Sequence, residues 1–210
     1  MNNLPIAKES FPLLLISGIL IWLLYYFNPY LSLIPGIIFL FSIYFFRNPW
    51  RKISPNENAA LAPADGVVMN VTKVMENDLL QDEVWKVTIF LSVKNVHINR
   101  APVAGTVEKI KYVPGKFIPA FKSHASEINE RNYLVINTGK ARVMVCQITG
   151  FIARRIVCWT KKGDPMRQGE RFGMIKFGSC TELYLPLDYS ILVQKGSKVK
   201  GGLSVIGRCS

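Results

Sequence analysis

The chain has 210 residues, room for one domain and an appendage, and half of them are apolar. A formal net charge of +12 alongside a positive mean hydropathy is unusual for a purely soluble protein. The four cysteines, Cys146, Cys158, Cys180 and Cys209, show no CxxC spacing and no neighbouring histidine. That argues against a metal site and reads as reduced thiols in a cytosol-facing body.

Charge and apolarity are unevenly shared along the chain. Residues 1–50 carry only Lys8, Glu9 and Arg47 as charged side chains, a net of +1, so the other 160 hold 24 basic and 13 acidic groups, a net of +11. A basic body beside an apolar front predicts attraction to an anionic membrane surface. Nucleic acid is the competing partner for a basic protein. No basic helix or RNP-like aromatic run supports it, and the apolar front needs a membrane.

Phe11 to Phe27 is 17 residues without a charge, Asn28-Pro29 interrupts, and Leu31 to Phe46 is 16 more with Pro35-Gly36 inside. A full span takes about 20 apolar residues. The pattern therefore predicts an N-terminal hydrophobic membrane hairpin, either two thin spans or one re-entrant dip. In both, the two ends emerge on one side. Lys8 and the Arg47, Arg51 and Lys52 cluster place that side in the cytoplasm. A cleaved signal peptide is disfavoured, because Lys8-Glu9 carries no net charge and no Ala-x-Ala site follows. Trp50 to Asn58 reads as a polar linker.

From Ala59 onward the pattern is β. Short runs rich in Val, Ile, Tyr and Phe cover Val67 to Val74, Trp85 to Leu91, Gly105 to Val113, Tyr133 to Asn137, Arg142 to Ile148, Arg155 to Thr160, Phe172 to Phe177, Glu182 to Leu187 and Ile191 to Gln194. Thr138-Gly139-Lys140 predicts a tight hairpin loop, and Phe121 to Asn132 is the one helical candidate. Ala62-Pro63-Ala64-Asp65-Gly66-Val67-Val68 is echoed by Ala101-Pro102-Val103-Ala104-Gly105-Thr106-Val107. Lys162-Gly163 with Gly169 is echoed by Lys195-Gly196 with Gly202, which looks like the turns of lipoyl- and biotinyl-type barrel-sandwich domains. No Met-Lys-Met hairpin is present, so a carrier of those groups is disfavoured. The reading is a mainly β protein: a compact β-sandwich or barrel-sandwich-like body, residues 51–210, behind a hydrophobic hairpin, residues 1–50.

Phe177-Gly178-Ser179-Cys180-Thr181 interrupts two strand-like runs with a small Gly-Ser pair. Met174-Ile175-Lys176-Phe177-Gly178-Ser179, followed by Leu183-Tyr184-Leu185-Pro186, resembles the self-cleavage site of the phosphatidylserine decarboxylase family in its short membrane-associated form. Ala62-Pro63-Ala64-Asp65-Gly66, Val96-His97-Ile98-Asn99-Arg100-Ala101-Pro102 and Asn129-Glu130-Arg131-Asn132 agree with it, in the family's order and over nearly the whole chain.

The resemblance implies decarboxylation of phosphatidylserine to phosphatidylethanolamine and CO2 at the cytoplasmic face of the cell membrane. The reaction needs an electron sink that no side chain supplies. A β body without a phosphate-binding glycine loop is a poor host for pyridoxal phosphate. The family's sink is a pyruvoyl group made from Ser179, whose ketone forms a Schiff base with the substrate amine. Ser179 attacks the carbonyl of Gly178, and β-elimination through the resulting ester splits the chain. The products are a β chain of residues 1–178 and an α chain of 179–210, which stay together as a heterodimer and could assemble further. A serine hydroxyl needs a base oriented by a third group. The resemblance assigns His97 as base and Asp65 as its orienter, with His97 later protonating the carbanion.

Some residues depart from the family's pattern. Val93-Lys94-Asn95-Val96 stands where Pro-Phe-Asp-Val, or a second histidine three positions before His97, is common. Cys180 stands where Arg, Ser or Thr is common, and as a rival nucleophile it is discounted because Ser179 follows the glycine. His124 stands where Lys or Asp is usual and reads as a surface residue. Asn129 to Asn132 reads as structural or as shaping the substrate pocket. Two other functions stay open: a non-catalytic membrane-anchored β-sandwich binding anionic lipid or an envelope partner, and a pyruvoyl decarboxylase of another amino-headgroup lipid.

Overall fold

The computed structural model describes residues 4–118, 125–150, 155–176 and 179–209. The chain divides into two compact units, residues 1–50 and 51–210.

In the first unit α1 spans Phe11–Phe27 and α2 spans Leu33–Phe45. Pro12 sits in the first turn of α1, where its missing N–H costs nothing. Asn28 ends the helix in an extended conformation, and its side-chain oxygen accepts from the Tyr30 amide at 3.0 Å. Both helices are apolar all round, with Trp22, Tyr26 and Leu40 exposed. The hydroxyls of Ser17 and Ser42 donate to carbonyls four residues back, Leu13 and Ile38, each at 2.7 Å. An apolar solvent demands that kind of internal satisfaction. Lys8–Phe27, at 20 residues, is long and apolar enough to cross a membrane, whereas Pro29–Phe45 is shorter. Ile6 and Arg47 pair antiparallel, and the Ala7 amide donates to the Phe46 carbonyl at 2.9 Å. The two ends of the hairpin therefore leave side by side.

The second unit is mainly β, as its alternating runs predict. In chain order its strands are β1 Ala59–Leu61, β2 Gly66–Glu76, β3 Asp82–Leu91, β4 Ile98–Arg100, β5 Gly105–Val113, β6 Arg131–Asn137 and β7 Arg142–Ile148. Then come β8 Arg155–Cys158, β9 Pro165–Met166, β10 Arg171–Lys176, β11 Ser179–Pro186, β12 Tyr189–Ile191, β13 Lys198–Val199 and β14 Val205–Cys209. Eight form one antiparallel sheet in the order β13-β2-β3-β11-β7-β6-β5-β9. Two three-stranded sheets, β1-β14-β12 and β4-β10-β8, complete the body.

The central strands are buried on both faces, and the two-residue period sorts their side chains. Leu183 and Leu185 of β11 join Val87, Ile89, Val143, Val145, Leu134 and Ile136 in one core. Cys180 and Tyr184 join Met144, Cys146, Ile148 and Val84 in a second core on the opposite face.

The structure departs from the pattern in several places. Of the helical candidate Phe121 to Asn132, residues 121–124 lie outside the described residues, Ala125–Ile128 is helical, and Arg131 and Asn132 belong to β6. Strands β1, β4, β9, β13 and β14 are short, and alternation over two to five residues carries little signal. The polar run after Trp50 is pinned: the Asn56 amide donates to Gln168 Oε1 at 2.7 Å, and Gln168 Nε2 reaches the Ala59 carbonyl at 2.6 Å. The echoed glycines share one backbone conformation. Gly163, Gly169, Gly196 and Gly202 all have positive φ, the left-handed region that β-carbon-bearing residues avoid.

Candidate active site

Ser179 opens β11 and sits opposite Leu91, the last residue of β3. On the other side of β3, Asp65 immediately precedes β2, whose Val67 pairs with Phe90. A β-carbon on Gly66 would lie 2.2 Å from the Phe90 carbonyl oxygen, so only glycine lets the chain turn so close to β3 after the aspartate. His97 ends the loop that leaves β3, and its carbonyl accepts the Ile175 amide at 3.2 Å. The fold thus gathers Asp65, His97 and Ser179 around one end of β3, although 114 positions separate the first from the last. Gly178 and His124 lie outside the described residues.

Ser179 is fully buried, and its Oγ has no hydrogen-bond partner among the described residues. Buried hydroxyls are nearly always paired, so this exception asks for a functional reason. His97 is also fully buried, with Nδ1 3.0 Å from the Asn95 carbonyl. A carbonyl only accepts, so Nδ1 of the neutral ring carries the hydrogen and Nε2 the basic lone pair. The backbone of Asn95 thereby sets the tautomer a general base requires.

Asp65 has other partners. Arg51 grips its carboxylate bidentately, Nη1 to Oδ1 at 2.6 Å and Nη2 to Oδ2 at 2.8 Å, and the Gly201 amide donates to Oδ1 at 2.8 Å. Arg100 lies close by. Burial lowers its pKa to about 10, helped by the repulsion of Arg171 and Arg51 and opposed by Asp65.

A chain of buried carboxamides borders the serine. Asn132 Nδ2 donates to Gln147 Oε1 at 2.9 Å, Gln147 Nε2 to Asn99 Oδ1 at 2.9 Å, and Asn99 Nδ2 to Thr181 Oγ1 at 3.1 Å. Strand alternation puts Thr181 on the face of Ser179 and Asn99 on the face of His97. The Asn99–Thr181 bond therefore joins the strand faces that carry the imidazole and the hydroxyl. Gly173 is required beside this chain, since a β-carbon there would sit 2.3 Å from the Val157 carbonyl and 2.9 Å from Gln147 Nε2. Asn99 and Asn132 each stand inside one of the signature runs of the sequence. Gln147 and Thr181 show no motif; their only signal is a polar side chain on the inward period of an apolar run. Asn129 is structural: its side chain donates to the Ile118 and Thr149 carbonyls, each at 2.8 Å.

Cys180 points to the other core. Burial, reinforced by Glu182 and eased by Lys86, raises its thiol from 9.0 to about 12, so at neutral pH it is protonated and a poor nucleophile.

A β body that spends buried imidazole, hydroxyl and carboxamide groups at one end of a strand, rather than filling that space with apolar side chains, is built as an enzyme. The phosphatidylserine decarboxylase family matches residues 38–207. Phosphatidylserine decarboxylase proenzymes align over almost their full length: 54% identity with that of Carboxydothermus hydrogenoformans, covering 96% of this chain and 95% of the relative. For Syntrophus aciditrophicus the identity is 42%, covering 96% of each. For Symbiobacterium thermophilum it is 44%, covering 97% of this chain and 95% of the relative. The chain belongs to the phosphatidylserine decarboxylase family.

Proposed function

We propose that the chain is a proenzyme that cuts itself between Gly178 and Ser179 and then decarboxylates phosphatidylserine to phosphatidylethanolamine and CO2. The observation that carries this reading is the buried Ser179 Oγ at the head of β11, without a hydrogen-bond partner among the described residues.

In the first step His97 Nε2 takes the Oγ proton as the oxygen bonds to the Gly178 carbonyl carbon. The Gly178–Ser179 C–N bond breaks, its nitrogen takes that proton back, and an ester remains. Loss of the Ser179 Cα proton then breaks the Cβ–Oγ bond. Gly178 leaves as a carboxylate, and residue 179 becomes a dehydroalanine. Water releases its nitrogen as ammonia, leaving a pyruvoyl group on the 179–210 fragment. Ser179 fits that origin, being buried beside a base whose lone pair is on Nε2. When formed, the group supplies a ketone for the substrate amine and a sink for the electrons left by CO2. His97 then serves as the proton donor to the headgroup carbon.

The apolar helices of residues 1–50 hold the body at the bilayer, so the lipid substrate need not leave it. The Arg47, Arg51 and Lys52 cluster after the hairpin favours the cytoplasmic face. Intact-mass measurement of the purified chain tests the reading: fragments 1–178 and 179–210, the second with a blocked N-terminus, and CO2 release from phosphatidylserine are the expected results. A single uncut chain that releases CO2 would overturn it.

A further inference from the structure

We propose that Arg51 is a positioning residue for self-cleavage, acting through Asp65. The inference rests on the family resemblance that assigns Asp65 to the cleavage machinery with His97 and Ser179, where its negative charge would favour the imidazolium formed as His97 takes the Oγ proton, and adds a residue that precedes every motif of the family signature.

The contact is too specific and too dry for an ordinary surface ion pair. Both guanidinium Nη atoms meet both carboxylate oxygens, and the two side chains are only 8% and 12% exposed. Arg51 Nη1 also donates to the Gly201 carbonyl, while the Gly201 amide donates to Asp65 Oδ1. Arginine, carboxylate and one peptide unit form a closed clasp that leaves the Asp65 side chain a single rotamer. Gly201 is seated directly on the preceding residue, its would-be β-carbon 3.1 Å from Ala64 Cα. The planar fork of arginine matches a carboxylate in two places at once, which a lysine cannot do.

The surroundings argue that the clasp is there for Asp65. Arg100 and Arg171 face each other across the β4–β10 ladder, and both are repelled by Arg51. A third guanidinium beside two others is unfavourable on its own account. Holding the carboxylate is what offsets it. The segment around Arg51 has independent anchors. Ile53 fills the space beside Gly169, where a β-carbon would come within 2.7 Å of its side chain, and Asn56 is bonded to Gln168. Replacing the Arg51 side chain therefore leaves the path of the strap in place.

The test follows the appearance of the 179–210 fragment over time in purified full-length chain, alongside the thermal midpoint. Four variants are compared: Arg51→Met, Arg51→Lys, Asp65→Asn and the double change Arg51→Met with Asp65→Asn. Arg51→Met is expected to cut at least tenfold more slowly, and Arg51→Lys to fall between it and the parent. The double variant should be no slower than Asp65→Asn, because Arg51 acts only through that carboxylate. An effect of Arg51 that bypasses Asp65 would instead make the two losses multiply. Cleavage by Arg51→Met at the parental rate, or faster, overturns the inference, as does a multiplicative double variant. Should Arg51→Met not fold, a stable Arg51→Lys protein cutting at the parental rate overturns it equally. An Asp65→Asn chain that cuts normally would instead sink the underlying reading of Asp65.

Discussion

Strand β11 buries polar groups on both of its faces and treats them in opposite ways. On one face Glu182 is saturated: Lys86 Nζ lies at 2.9 Å, the Tyr184 hydroxyl donates at 2.6 Å, and Thr88 stands at 3.5 Å. On the other face Thr181 is tied into the carboxamide chain, while two residues earlier the Ser179 hydroxyl is left without a hydrogen-bond partner among the described residues. A buried ion pair with its bonds complete is architecture. A buried hydroxyl without a partner among the described residues, one strand period from a bonded threonine, is the feature on which the proposed cleavage rests. The lesson is that burial alone does not mark function; the distribution of hydrogen bonds does.

The sharpest way to break this comparison is to remove one oxygen. Ser179→Ala should leave the chain entirely uncut by intact mass, whereas Cys180→Ala, on the neighbouring position and opposite face, should still cut. If the cysteine variant were the uncut one, the assignment of faces would be wrong. Next in size, Gln147→Leu strands the Asn99 and Asn132 carboxamides. Each unsatisfied buried group costs about 1–3 kcal/mol, so the urea midpoint should fall clearly and cleavage should slow as Asn99 loses its hold on the serine face. Glu182→Gln removes the charge that Lys86 and Tyr184 share. Because Lys86 keeps a quarter of its side chain in solvent, the loss should be about 1–2 kcal/mol, with cleavage intact.

A further effect appears only at alkaline pH. The Cys180 thiol is raised in the folded state from 9.0 to about 12, and burial moves Cys146 in the same direction. The fold therefore favours the protonated thiols. Their contribution is complete below the unfolded value and is lost as pH rises from about 9 towards 12. The urea midpoint should decline across that window, and less steeply in Cys180→Ala. An unchanged slope in that variant would remove Cys180 from the account. Native Cys180 should likewise resist alkylation at pH 8 until the chain unfolds.

Much of this was legible in order of residues. The β body follows from runs with a two-residue period, and the apolar hairpin from two uncharged stretches broken at Asn28-Pro29. Ser179 and His97 stand in the short runs that carry the resemblance to the family. Other features were not legible. Gln147 and Thr181 are unremarkable in sequence and become part of the site only because β7 and β11 are neighbours that face β4. Within the helical candidate, Asn132 joins β6 instead, where its pairing with Gln147 of β7 overrides the local pattern.

The sequence by itself determined which functional groups are available, how they alternate along each strand, and where the chain is apolar enough to leave water. Those are properties of residues a few positions apart. The tertiary structure alone decided which groups meet. Asp65 receives the Gly201 amide across 136 positions and Asn99 reaches Thr181 across 82, so their partners depend on strand order and register. For that reason Asp65 stands out in the sequence only through the family resemblance of its Pro-Ala-Asp-Gly run, and only the fold reveals that Arg51 holds it.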